Sequence, residues 1–203
     1  GAAVALIASP AAAQTWGTAT YGNDGAAHWA LQSNVADFCK LGSSPSAIIA
    51  TKSTVTPGDN GRGGNTANAD GTVAFNIQNP TTNTIQASYA SVTYAQSQCN
   101  TTFNVTAESE RGGLTNSAFG SAFDSAFTDQ VRYDVRVDFG TGSGNKVGLV
   151  NTATLLSAQQ PTAGDFKLSM YVAPNANKLL LAGQYTDFLK VTMAPVVSGA
   201  TPL

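Results

Sequence analysis

Residues 131–139 read Val-Arg-Tyr-Asp-Val-Arg-Val-Asp-Phe. Val131, Tyr133, Val135, Val137 and Phe139 share one parity, and Arg132, Asp134, Arg136 and Asp138 the other. Successive side chains of an extended chain point to opposite faces, so this period specifies a half-buried β-strand. The period recurs along the chain. Val73, Phe75 and Ile77 alternate with Ala74, Asn76 and Gln78, and Phe166, Leu168, Met170 and Val172 share a face. Cys99, Phe103, Val105 and Ala107 alternate with Asn100, Thr102, Asn104, Thr106 and Glu108. Trp29, Leu31, Val35, Cys39 and Leu41 fall on one parity, with Gln32, Asn34 and Lys40 on the other and Phe38 breaking the polar face. Leu189, Val191 and Met193 close the series.

Between these runs lie stretches rich in Gly, Asn, Asp and Pro, at 57–71, 79–83, 140–145 and 174–178, which read as turns. No sustained helical period appears, and 114–127 offers room for a short helical turn only. Many short strands joined by turns point to a β-sandwich. No internal repeat or second globular domain is evident; the expected division is 1–25 as leader or extension and 26–203 as the sandwich.

Hydrophobic residues make up 42% of the 203, enough for a core, while only 11% are charged and the net charge is −2. Without a basic run to neutralise phosphates, nucleic acid is excluded as an expected partner. No apolar run reaches the roughly 18 residues of a membrane-spanning helix. Residues 2–14, Ala-Ala-Val-Ala-Leu-Ile-Ala-Ser-Pro-Ala-Ala-Ala-Gln, read as the end of a secretory signal peptide, with an apolar stretch, a Pro break and an Ala-Ala-Ala cleavage site. Two readings stand, removal after Ala13 or retention as an apolar strand, and both imply export. In an exported chain Cys39 and Cys99 form a disulfide, both lying on inward parities; the alternative is two buried thiols.

The segment 179–193, Leu-Leu-Leu-Ala-Gly-Gln-Tyr-Thr-Asp-Phe-Leu-Lys-Val-Thr-Met, resembles the C-terminal strand of spore coat protein U-domain proteins and archaic chaperone–usher pilins, which end in an Ala-Gly-x-Tyr-x-Asp turn and an alternating strand. Its marks here are Gly183, Tyr185, Asp187, Leu189, Val191 and Met193. Residues 99–114, with their Gly-Gly-Leu turn, are similar to that family's second-cysteine strand, and 29–41 to its first. The likeness spans 29–195 with the middle loops unmatched; the chain departs by a long insertion near 57–71 and a tail at 194–203.

The resemblance implies an immunoglobulin-like, pilin-like sandwich that lacks its final strand. A periplasmic chaperone would cover the open groove, an outer-membrane usher would export the subunit, and another copy's N-terminal strand would replace the chaperone. Such head-to-tail joining makes an open filament. If residues 1–13 are retained, the donor is Ala2, Val4, Leu6 and Ala8, with Ala3, Ala5 and Ile7 on the other face. If they are cleaved, the donor is Thr15, Gly17, Ala19 and Tyr21, with Trp16, Thr18 and Thr20 opposite and 22–25 as a hinge.

Catalytic signals are sparse. The single histidine, His28, opens a strand, and no Gly-x-Ser-x-Gly elbow surrounds a serine. Asp134 and Asp138 share the polar parity with Arg132 and Arg136, which reads as cross-strand or solvated pairing. Glu108 and Glu110 read as surface groups before a turn, and Asp187 as the residue that fixes its own turn. The sequences at 59–62 and 68–71 lack the spacing and closing Glu of an EF-hand loop. No cofactor, metal or enzyme activity is expected. The leading expectation is a secreted filament or surface-layer subunit serving adhesion, biofilm or surface protection. The alternative is a monomeric secreted sandwich that binds carbohydrate or a surface.

Overall fold

The inward parities of the alternating runs meet in one interior. The structure, a computed structural model, describes residues 20–21, 27–28, 33, 35–43, 45–59, 62–63, 65–118, 120, 123–147 and 152–196. The chain divides into two units, Gly1–Ala36 and Asp37–Leu203. In the first, β1 (Thr20–Tyr21) pairs antiparallel with β2 (Ala27–His28).

In the second unit, β3 (Cys39–Lys40), β4 (Ala47–Thr51), β5 (Ser53–Pro57), β6 (Arg62–Gly63), β7 (Thr66–Phe75), β8 (Thr84–Ile85) and β9 (Ser88–Cys99) come first. Next are β10 (Phe103–Ser109), β11 (Leu114–Thr115), β12 (Phe127–Thr128), β13 (Gln130–Val131), β14 (Asp134–Phe139) and β15 (Gly142–Val147). The last are β16 (Ala153–Gln159), β17 (Thr162–Val172), β18 (Asn175–Leu180) and β19 (Thr186–Pro195). One sheet runs β15-β14-β17-β9, with β3 and β4 both on the far edge of β9. The other runs β16-β10-β19-β7, with β5 and β6 on the far edge of β7 and β11 and β13 continuing beside β19. A small third sheet orders β12-β18-β8. Among the described residues there is no helix, and the fold is an all-β sandwich.

Burial is set by the alternation. On β10, Phe103, Val105 and Ala107 are buried, as are Leu189, Val191 and Met193 on β19 and Phe166, Leu168, Met170 and Val172 on β17. The rings of Phe103 and Phe139 lie 5.6 Å apart across the two sheets, and Phe139 meets Phe166 at 5.6 Å. Each fully buried side chain of this size contributes about 1.5–3 kcal/mol relative to leaving it in water. The β14–β15 hairpin turns at Gly140, whose φ of +61° favours glycine and where a Cβ would lie 2.4 Å from Thr162 Cγ2.

Several sequence expectations are corrected. Cys99 and Phe103 belong to different strands in different sheets, because the chain turns at 100–102 to cross between them; their common parity is coincidental. Among the described residues of the strand expected over 29–41, only Cys39–Lys40 are strand, since β9 ends at Cys99 and offers no further ladder. Val35 is accordingly 76% exposed rather than inward. The long run at 131–139 is broken at residues 132–133, although Tyr133 stays buried. Turn-like compositions at 57–71, 140–145 and 174–178 contain strand: β7 passes through Asn68, Asp70 and Gly71 because β19 holds it on one side and β5 and β6 on the other. Where a helical turn had room, at 114–127, the ends are β11 and β12.

Candidate assembly site

Cys39 and Cys99 are directly opposed in the β3–β9 ladder with Cα atoms 4.1 Å apart, and their sulfurs are bonded. Both are buried, so the bond ties the beginning of the second unit to the end of its longest strand.

The motif at 183–193 is fixed by three devices. Gly183 has φ +131°, and a Cβ there would lie 2.9 Å from Asn116 Nδ2, whose hydrogen goes to Ala182 O at 3.0 Å. Tyr185 donates its hydroxyl hydrogen to Thr128 O at 2.6 Å and accepts from Leu181 N at 3.0 Å, bolting the turn to the β12 loop. Asp187 is 3% exposed. Its Oδ2 accepts from Ser109 Oγ and Tyr133 Oη, and its Oδ1 from the backbone N–H groups of Arg111 and Phe188. A buried carboxylate persists only with such a donor set. Burial pushes the Tyr133 phenol upward, reinforced by the neighbouring Asp187 charge. Asp187 thus fixes the start of β19 and the 109–113 turn together. The three residues that follow on its parity, Leu189, Val191 and Met193, are core.

β19 is hydrogen-bonded along both edges by its own chain, to β7 over 186–193 and to β10 over 189–195. The position beside the last strand therefore holds β7. The donor candidates Ala2, Val4, Leu6, Ala8, Thr15, Gly17 and Ala19 lie outside the described residues, as do Trp29 and Leu31. Tyr21 lies in β1, paired with Ala27. Arg136 and Asp138, two apart on one face of β14, form an ion pair at 2.9 Å. Burial acts to raise the Asp138 carboxyl, but hydrogen bonds from Arg136 and Ser143 and the Arg136 charge hold it below its usual value.

The strand edge that the alternation did not reveal is β4, Ala-Ile-Ile-Ala-Thr. Among the described residues it pairs with β9 only, placing Ile48 and Ala50 opposite Val92 and Ala90 on the inward face and Ile49 opposite Ser91 on the outward face. All five residues are exposed, Ile48 by 45% and Ile49 by 60%. Then Lys52, with φ +51°, turns the chain into β5 and so into the other sheet. An inward-facing isoleucine left half open marks a flank that the second sheet does not cover. The available sequence signal was a short unbroken apolar run between Ser46 and Lys52, which has no period to read.

A scan against protein-family models finds no match, and no curated protein matches the chain.

Proposed function

We propose that this chain is a secreted, pilin-like subunit of an extracellular filament or spore-coat-like surface layer, which polymerises by β-strand addition and serves adhesion, biofilm or surface protection. The observation that carries the reading is β4: an apolar strand with one edge unpaired among the described residues and Ile48 and Ile49 exposed. Such an edge is a template for another strand and a liability when left bare. The resemblance of 99–114 and 179–193 to coat-protein-U and archaic pilin strands supports the same reading, and the disulfide suits an oxidising compartment.

Because β7 occupies the place beside β19, the acceptor is the β4 flank. The donor is the N-terminal segment of another copy, through Ala2, Val4, Leu6 and Ala8, or through Thr15, Gly17, Ala19 and Tyr21 when cleavage follows Ala13. Strand addition supplies backbone hydrogen bonds, and alternate side chains of the donor cover Ile48. A periplasmic chaperone shields the edge until an usher delivers the subunit, and head-to-tail joining leaves a filament rather than a ring.

The test is negative-stain microscopy and unheated SDS gels of surface material from cells making the chain or its Ile49→Lys variant. Thin SDS-resistant fibres with the parent chain, lost in the variant while the purified variant unfolds at the parent's temperature, are expected. Fibres unchanged by Ile49→Lys would refute β4 as the acceptor, and a parent chain that stays monomeric on the cell surface would refute the filament.

A further inference from the structure

Strands β7 and β19 pair up to Ala74 and Thr186 and then part. The opening between them is a cleft of about 560 Å³, lined by Thr54 and residues 74–78 and 180–185. Its volume is that of a small-ligand site. Both walls are held by hydrogen bonds. On one side, Gln86 donates from its backbone N to Ile77 O at 2.6 Å and from Nε2 to Asn76 O and Gln78 O, and Lys52 Nζ donates to Gln86 Oε1. On the other, Leu181 N donates to Tyr185 Oη, and Ala182 O accepts from Asn116. Half-buried Ala74 and Leu181, backed by buried Phe75, Ile77, Leu180 and Tyr185, give the cleft an apolar floor.

What remains available at the rim is amide. Asn76 and Gln184 are exposed and their side chains take no partner among the described residues, while Gln78 donates to Asn83 Oδ1 and keeps its oxygen free. Among the described residues that line the cleft, none carries a charge. We propose that this cleft binds a neutral saccharide. A side-chain amide offers a donor and an acceptor together, which matches a sugar hydroxyl, and the apolar floor suits the C–H face of a pyranose ring. An ionic ligand finds no counter-charge. An extended peptide finds little ladder to join, because the carbonyls of Asn76, Ile77, Gln78 and Leu180 and the N–H groups of Asn76, Leu180 and Leu181 are already bonded within the chain. The proposal is independent of strand addition at β4.

The experiment is an amide-resolved NMR titration of the disulfide-intact chain with galactose, N-acetylglucosamine and maltose, and separately with a synthetic peptide of residues 1–13. The expected result is saturable shifts confined to 74–78 and 180–185 with at least one sugar, at millimolar dissociation constants. Asn76→Ala and Gln184→Ala each weaken that binding about threefold to tenfold without lowering the unfolding temperature. No saturable shift with any sugar, shifts mapping elsewhere, unchanged affinity in both variants, or occupation of the cleft by the peptide instead would overturn the proposal. Binding abolished by Ile49→Lys would place the ligand at β4 and overturn it as well.

Discussion

The hydroxyl of Tyr133 donates to Asp187 Oδ2 at 2.5 Å, an oxygen that also accepts from Ser109 Oγ at 2.5 Å. Tyr133 lies between β13 and β14, and Asp187 near the start of β19, so a single carboxylate fixes three parts of the chain that are distant in sequence. Tyr133→Phe removes one donor and keeps the ring, which contacts Phe75 at 6.1 Å. The expected loss is about 1–3 kcal/mol, read as a lower denaturant midpoint with an unchanged slope. Asp187→Ala, which strands four donors at once, is expected to cost more than Tyr133→Phe; an equal or smaller loss would show that the carboxylate does not organise the turn.

Alkaline pH tests the same network. Tyr133 titrates near its ordinary value of 10.0 in the unfolded chain, while burial first, and then the Asp187 charge, raise it in the folded state. Above about pH 10 the unfolded chain therefore holds fewer protons than the folded one, and stability falls as pH rises. Below that value the contribution is fully present. Burial likewise raises Tyr94 and Tyr185, so part of the decline belongs to them. Unfolding free energy measured from pH 9 to 11 should fall less steeply in Tyr133→Phe than in the parent.

Reduction of Cys39–Cys99 frees a loop of 60 residues. Chain-entropy reasoning gives about 4 kcal/mol for a closure of that length. The double variant Cys39→Ala/Cys99→Ala should lose a comparable amount in chemical denaturation, and the parent with reductant should approach it. A loss under about 1 kcal/mol would mean that the unfolded chain is already compact in this region.

Gly183→Ala meets two obstacles, a φ of +131° and Asn116 Nδ2 at 2.9 Å from the new Cβ. A cost of about 1–3 kcal/mol is expected in thermal or denaturant unfolding. Asn116→Ala relieves the second obstacle only, so the double variant should remain less stable than Asn116→Ala alone.

The strands of the sandwich core were legible because inward positions such as Val135, Val137, Leu189 and Val191 recur at every second residue, and burial follows that period. Less legible was whatever depends on partners remote in the chain. β7 runs through Asn68, Asp70 and Gly71 against local preference because strands on both sides supply its hydrogen bonds. Tyr133 announces burial by its parity, yet nothing local reveals its bond to Asp187, 54 positions away. The inward phase of both cysteines was visible, and the break that puts Cys99 and Phe103 in separate sheets left only a faint mark, the three successive polar residues Asn100, Thr101 and Thr102, because the flanking residues share a parity. β4 escaped notice because an exposed edge has no buried face to impose a period.

The Cys39–Cys99 bond also determines how the chain answers a pull. Tension entering from the N-terminal side reaches Cys39 and passes through sulfur straight to Cys99, so residues 40–98 drop out of the extensible contour. That shortens the maximum stretch by roughly 200 Å at full extension. It also means that the two-residue β3 need not resist peeling by its backbone bonds alone. Under load, the disulfide is a covalent bypass that takes the backbone of β4, β5 and β7 out of the covalent path, so force reaches β7 through its ladder with β19.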